Sequence, residues 1–172
     1  MRLVPQRAPS APAEVVTRAG LSRGEKVLAF VRSGDTWLLG TRAAFVMVGQ
    51  DDVRRVPWEQ VENAGWDRDE SMLLVSEVGE WGVTRPVHRF TIAEPGRLLE
   101  LMRERVSASV VLQRRVLVQG KRGFNINARR SPTGGPVEWF VEYDVGVDPQ
   151  DVVVRDLAGT ALAEARSELG AN

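Results

Sequence analysis

The sequence predicts an α+β fold: an antiparallel β-barrel or sandwich of about seven strands capped by a helix, then a three-strand meander and a second helix. Two observations carry this prediction. From Glu25, short runs of β-prone residues alternate with turn residues roughly every eight to twelve positions, a spacing typical of antiparallel sheets. At Glu94 the hydrophobic period changes from two to about 3.6 residues, which indicates an amphipathic helix.

The chain divides into three parts, of which the first is a tail with a short helix. Three prolines in residues 1–12 predict a poorly ordered tail, and residues 13–21 predict a short helix that ends at Gly20. The seven strands are predicted in the segments EKVLAFVR, TWLLG, AAFVMVG, VRRVPW, VENAGWD, SMLLVSEV and VHRFTI. We therefore divide the chain into a tail with its helix (1–24), a β-domain with its capping helix (25–112) and a β-β-β-α unit (113–172).

The two longer helices are predicted from their apolar faces. Pro95 suits the first turn of the capping helix, whose apolar face comprises Leu98, Leu99, Leu101, Met102, Val106 and Val110. For the last helix, Asp148 is the predicted N-cap and Pro149 the first helical residue, with Gly170 at the end. Its apolar face comprises Val154, Leu157, Ala158, Ala161, Leu162, Ala165 and Leu169.

The meander between these helices has one favoured register. Residues 120–123 predict a tight turn, and residues 131–135 (SPTGG) close the next hairpin. The apolar residues of its two strands coincide when Phe124, Ile126 and Ala128 oppose Tyr143, Val141 and Trp139, respectively. In that register Arg129 opposes Glu138, which predicts an ion pair across the strands.

Composition excludes several classes of function. The chain has 23 basic and 23 acidic residues, so no net charge draws it towards nucleic acid or membrane. The absence of cysteine excludes disulfides, thiol chemistry and cysteine-liganded metals. The single histidine, His88, shares strand parity with Phe90 and Ile92 and is predicted to be a half-buried structural residue. We expect no cofactor, no metal, no membrane span and a cytoplasmic location.

Charge is unevenly distributed near the C-terminus. Seven basic residues and no acidic ones lie in residues 105–136, counting Arg105 itself, and an acidic stretch follows. We favour charge matching within the protein, and the alternatives are contact with an anion or nucleic acid and contact with an acidic protein. The pairing of Arg129 leaves four candidate anion-binding residues: Arg114, Arg115, Lys121 and Arg122.

Tryptophan is the other candidate for recognition. Trp37, Trp58 and Trp66 lie in predicted strands and are expected in the core. Trp81 lies in the glycine-rich turn EVGEWGVTRP, so we expect it to be exposed and to be the candidate partner-binding residue.

The segment from Glu25 to Val106 resembles the bacterial pleckstrin-homology-like (PH-like) family, whose superfamily includes GRAM domains. The resemblance lies in GEKVLAF, WLLGTRAAFVMV and VRRVPWEQVENAGWDRDESMLLV, followed by a helix in the place of the family's capping helix. TRAAF departs from the family pattern because it lacks the acidic residue that often follows the threonine. The whole chain is also similar to an uncharacterised family of high-GC Gram-positive bacteria, through PWEQVENAGWDRD, RERVSASVVLQR and YDVGVDPQD.

The resemblance implies a binding or scaffolding module, not an enzyme, because PH-like folds rarely catalyse reactions. We expect it to act through a protein partner or through self-association. The alternative is nucleic-acid or anion binding by the basic hairpin. An enzyme that uses His88 or acidic residues is a third hypothesis, and it requires a pocket in which polar groups converge.

Overall fold

The computed structural model describes residues 10–170. It begins with helix α1 (Ala13–Arg18), after which Gly20 adopts a φ of +59°. The short helix predicted before this glycine is confirmed. Val15 and Ala19 pack against buried residues of the strands that follow. The tail predicted for residues 1–12 lies mostly outside the described residues.

Four strands form the first sheet. They are β1 (Ala29–Ser33), β2 (Thr36–Gly40), β3 (Ala44–Val48) and β4 (Val53–Pro57), paired antiparallel in this order. β3 is buried along its whole length because the first sheet's two faces pack against different clusters of apolar side chains. The turn before β3 is held by Thr41, whose Oγ1 accepts hydrogen bonds from the backbone N–H groups of Ala43 and Ala44.

Three further strands form the second sheet. A 3₁₀ turn (Trp58–Gln60) leads into β5 (Val61–Asp67), which pairs antiparallel with β6 (Met72–Glu77), and β6 pairs with β7 (Val87–Thr91). The seven predicted strands are therefore present. They form two separate sheets and no closed barrel among the described residues, so the barrel alternative is wrong.

Helix α2 (Gly96–Ser109) closes the core that the two sheets share. Its Leu98, Leu99 and Met102 are buried, as the helical period predicts. The fully buried side chains of this core include Trp58, Phe45, Leu38, Leu73, Val61 and, from α2, Leu98 and Met102. Val110 is an exception: it was predicted on the helix face, but the helix ends one residue earlier and Val110 begins a strand.

The C-terminal unit is a three-stranded antiparallel sheet covered by a helix. Its strands are β8 (Val110–Gln119), β9 (Arg122–Arg129) and β10 (Glu138–Tyr143), and the helix is α3 (Val152–Gly170). The predicted register of β9 and β10 is confirmed at all six pairs. Phe124 and Ile126 pack against α3, which contributes the buried alanines Ala158, Ala161 and Ala165.

Two details of this unit differ from the prediction. Asp151, not Asp148, caps α3, because its Oδ1 accepts hydrogen bonds from the N–H groups of Val153 and Val154 at 2.8 and 3.3 Å. Asp148 instead accepts from Gln150 in the preceding turn. In addition, α2 passes directly into β8, so the division proposed at residue 112 falls inside that strand.

Candidate functional site

The two units meet at a polar cleft of about 480 Å³, which we call the inter-unit cleft. The first unit contributes β5, β6, the segment before β7 and the end of α2, and the C-terminal unit contributes all three strands of its sheet. The cleft is lined by Glu62, Asn63, Ser76, Arg85, Val106, Val110, Gln113, Asn127, Arg129 and Glu142.

Strand alternation places the C-terminal residues of the cleft. Phe124 and Ile126 pack against α3, so Asn127 and Arg129 point to the opposite face of the sheet. Glu142 lies on this same face of β10, where its Oε2 accepts a 2.9 Å hydrogen bond from Asn127 Nδ2. The face that α3 leaves uncovered therefore carries these polar residues, together with Phe140, and it faces the first unit.

Two carboxylates and one guanidinium converge at one end of the cleft. Arg85 Nη1 contacts Glu62 Oε2, and Arg85 Nη2 lies 3.2 Å from Glu142 Oε1. Burial raises the pKa of Glu142, and the charge and hydrogen bonding of Glu62 raise it further, against the opposing effects of Arg85 and Arg129. Burial and the neighbouring Glu62 therefore favour the neutral form of Glu142.

Arg129 occupies another position in the cleft and is 94% buried, with only 6% of its surface exposed. Its Nη1 donates to the carbonyl oxygen of Val61 at 2.8 Å and to Ser109 Oγ at 3.4 Å. Burial lowers the pKa of Arg129, although the charges of Glu142 and Glu62 oppose this effect. The predicted ion pair with Glu138 is wrong: the two residues are paired in the backbone register, but Glu138 accepts from Gln60 instead.

A second depression, which we call the Trp81 groove, shares Arg85 and Glu142 with the inter-unit cleft. It is lined by Gly79, Glu80, Trp81, Val83, Arg85, Val141, Glu142 and Tyr143, with a volume of about 120 Å³. Trp81 is 52% exposed and Val83 is 63% exposed. The predicted exposure of Trp81 is therefore confirmed. Trp58 is fully buried, as predicted, whereas Trp37 and Trp66 are only half-buried.

One wall of this groove is a strand edge. β10 lies at the end of its sheet, and its outer edge pairs with no other strand in residues 10–170. The backbone N–H of Asp144 donates inwards to Gly123, so alternation turns the N–H and C=O groups of Tyr143, Val141 and Trp139 outwards. The groove thus combines exposed apolar side chains with unpaired backbone groups.

The four candidate anion-binding residues do not form one free cluster. Arg114 bonds Glu168 of α3 at 2.5 Å, and Arg115 forms a two-pronged ion pair with Asp144. Lys121 and Arg122 are exposed at the β8–β9 turn. The prediction that part of the basic stretch is balanced within the protein is confirmed, with partners on α3 and after β10.

A glycine lies beside the ion pair between Arg115 and Asp144. Gly123 lies on the central strand β9, opposite Leu117 of β8, and a Cβ there would lie 1.8 Å from the carbonyl oxygen of Val116. The Gly123 N–H also donates to Asp144 Oδ2 at 2.9 Å. The hydrogen bonds from Arg115 and then from Gly123 lower the pKa of Asp144 to about 2.

His88 is half-buried on β7, as predicted. Its Nε2 lies 2.6 Å from Glu77 Oε1, and its ring stacks on Phe90 with 6.4 Å between the ring centroids. Glu77 also accepts two hydrogen bonds from Arg54. His88 therefore belongs to a network that joins the two sheets of the first unit, away from the inter-unit cleft.

Sequence reasoning missed Glu62, Arg85 and Glu142 as a group. Glu62 and Glu142 are 80 positions apart in the chain, and no local spacing signals that they converge. The acidic residues on β10 were visible in the sequence, but their partners come from another sheet. The predicted register did place Asn127, Arg129 and Glu142 on one face of the sheet, but not their partners in the first unit.

Within residues 10–170, no three acidic or histidine side chains are grouped as metal ligands, and no helix has the length and apolarity needed to cross a bilayer. The chain matches no protein-family model, no curated protein and no solved structure.

Proposed function

We propose that this protein is a non-enzymatic binding module, built from a PH-like β-domain and a C-terminal unit, that binds an extended protein segment at the Trp81 groove. The order of elements in the first unit supports the PH-like part of the proposal: four strands, three strands and one closing helix follow one another. The observation that carries the binding function is the exposed Trp81 beside the open edge of β10.

An open strand edge binds an extended peptide through backbone hydrogen bonds, and neighbouring pockets select its side chains. Trp139, Val141 and Tyr143 supply three outward-facing pairs of N–H and C=O groups. Trp81 and Val83 supply the apolar contact, and tryptophan is among the residues that contribute most to protein interfaces. The fitting partner is an extended segment with alternating apolar side chains.

A library of displayed random peptides tests this proposal. We expect wild-type protein to enrich apolar, β-prone peptides, and the variants Trp81→Ala and Val83→Ser to bind them at least about tenfold more weakly, the usual cost of removing an interface hot spot. Val153→Ser, at a helix position that is also 63% exposed, is the matched control and should bind normally.

The strand-edge geometry also determines which backbone amides of a selected peptide are needed for binding. Only every second amide of a bound strand points to β10. N-methylation of those amides should therefore abolish binding, and N-methylation of the alternate amides should leave it unchanged. Light scattering separates a second copy of this chain from other partners, since a dimer that Trp81→Ala dissociates is a self-association through the same groove. The proposal is overturned if no enriched peptide binds the wild-type protein more tightly than it binds Trp81→Ala.

Nucleic-acid or anion binding by the basic hairpin stays a prediction. It has less support because Arg114 and Arg115 already contact carboxylates, which leaves Lys121 and Arg122 as the principal cations. This alternative requires binding to labelled duplex DNA that weakens steeply as salt rises and is lost in Lys121→Glu/Arg122→Glu. The same charge reversal at the exposed Arg68 and Arg103 is the control.

A further inference from the structure

We propose that the inter-unit cleft binds a small zwitterion of the free α-amino acid class, with the ligand carboxylate at Arg129 and the ligand ammonium at Glu62 and Glu142. This inference does not depend on the proposed peptide binding, because Arg129 lines the inter-unit cleft and not the Trp81 groove. It rests on the positions of four charged side chains in a cleft between two units.

Arg129 supplies the anion-binding end. No carboxylate oxygen of residues 10–170 lies within 4.0 Å of its guanidinium, although the side chain is almost fully buried. Only its Nη1 donates hydrogen bonds, to Val61 and Ser109, and these contacts fix the orientation of the planar group. Nε and Nη2 remain for a ligand, and a guanidinium binds a carboxylate through two parallel hydrogen bonds.

The carboxylate pair supplies the cation-binding end. Glu62 and Glu142 share one guanidinium, that of Arg85, so two acidic groups face one basic group. The mutual repulsion of the pair contributes to the raised pKa of Glu142. An ammonium group between the two carboxylates would offset this repulsion and would lower the pKa of Glu142.

The separation of charge selects the class of ligand. With both carboxyl groups ionised, the four side chains sum to zero net charge. Arg129 has no carboxylate oxygen of residues 10–170 within 4.0 Å, whereas Glu62 and Glu142 share the single guanidinium of Arg85. A simple anion would be repelled by Glu62 and Glu142, and a simple cation by Arg85 and Arg129. A small molecule that carries both charges complements both positions.

The rest of the cleft suits such a ligand. Asn63, Ser76 and Gln113 supply neutral polar groups, and Val106 and Val110 supply an apolar surface for a side chain. The volume of about 480 Å³ falls within the range of small-molecule sites.

Titration calorimetry with each of the twenty free amino acids, up to about 20 mM, tests the proposal. We expect at least one to bind, and the amine and the hydroxy acid that correspond to it to bind far more weakly. Arg129→Gln should weaken binding by about 10- to 100-fold, the cost of losing hydrogen bonds between charged groups. Arg130→Gln, at the exposed neighbouring position, should leave binding unchanged.

Arg129 also joins the two units, so Arg129→Gln changes the contact between the units as well as the cleft. A second variant therefore tests the cleft with Arg129 in place. Gln113→Trp fills the cleft from an exposed position on the edge strand β8 and should abolish binding while the fold persists. The proposal is overturned if no amino acid binds, if the hydroxy acid binds as tightly as the amino acid, or if Gln113→Trp binds normally.

Discussion

The helices of the two units pack against their sheets through side chains of different size. In the first unit, two sheets and α2 enclose large residues such as Trp58, Phe45 and Met102, all with no exposed surface. In the C-terminal unit, α3 contacts its sheet through Ala158, Ala161 and Ala165, which allow a close approach but bury little area each. The packing of the first unit therefore depends on large side chains, and the packing of α3 against its sheet depends on small ones.

The largest expected effect tests the first half of this comparison. Trp58→Ala removes a fully buried indole and the hydrogen bond from its Nε1 to the carbonyl oxygen of Thr41. We expect a loss of about 3–5 kcal/mol in the free energy of unfolding, measured by urea denaturation. Trp81→Ala is the matched control at an exposed position and should change stability by less than about 0.5 kcal/mol. Similar losses in both variants would contradict the core assignment.

A second substitution tests the close approach of α3. Ala165 is fully buried against the C-terminal sheet, so Ala165→Leu places three extra carbon atoms in a packed interface. We expect a destabilisation of about 1–3 kcal/mol by the same measurement. Ala163→Leu, on the exposed side of the same helix, should be nearly neutral. A stabilised Ala165→Leu variant would mean that the helix has room for a larger residue.

An effect of intermediate size is expected at the interface between the units, where the titration of Glu142 makes the thermal stability depend on pH. Because the pKa of Glu142 is raised in the folded state, its contribution to stability is full below about pH 4.5 and is lost as the pH rises through that raised pKa. Glu142→Gln removes this titration, so its melting temperature relative to wild type should rise between about pH 5 and about pH 8. Glu62→Gln should flatten the dependence in part, since it removes only the neighbouring charge. A constant difference across this range would contradict the assignment.

The smallest expected effect is at the exposed ion pair of the C-terminal sheet. Because the pKa of Asp144 is lowered to about 2, its contribution is present above about pH 4 and is lost as the pH falls towards 2. Asp144→Asn should lower the melting temperature slightly at neutral pH, and the difference from wild type should vanish in acid. High salt should also reduce the difference, because the pair is partly exposed.

The elements of this fold that could be predicted are those whose signal is local. Alternation of apolar residues fixed the register of β9 and β10, because a shift by one residue would turn Phe124 and Ile126 away from the core. The change of period at Glu94 located α2 for the same reason. The N-cap of α3 was less certain from sequence, since Asp148 and Asp151 both precede apolar helical residues and only the backbone conformation distinguishes them.

The candidate site was predictable only in part. The exposure of Trp81 followed from its glycine-rich turn, but the open edge beside it depends on where β10 lies in the sheet. The partner of Arg129 is a backbone carbonyl of Val61, 68 residues earlier, and backbone groups leave no sequence signal of their own. Contacts between sheets depend on how the units dock, and neither hydrophobic period nor charge spacing encodes that docking locally.

The direct passage from α2 into β8 has a consequence for how the chain can be divided. Ser109 ends the helix and Val110 begins the strand, so no flexible linker separates the two units. A fragment that stops at residue 112 would keep the first residues of β8 but lose β9, the strand with which they pair. It would also lose Arg129, whose guanidinium reaches back to Val61 and Ser109. Truncation at this point would expose an unpaired strand end, so the natural unit for expression extends through α3.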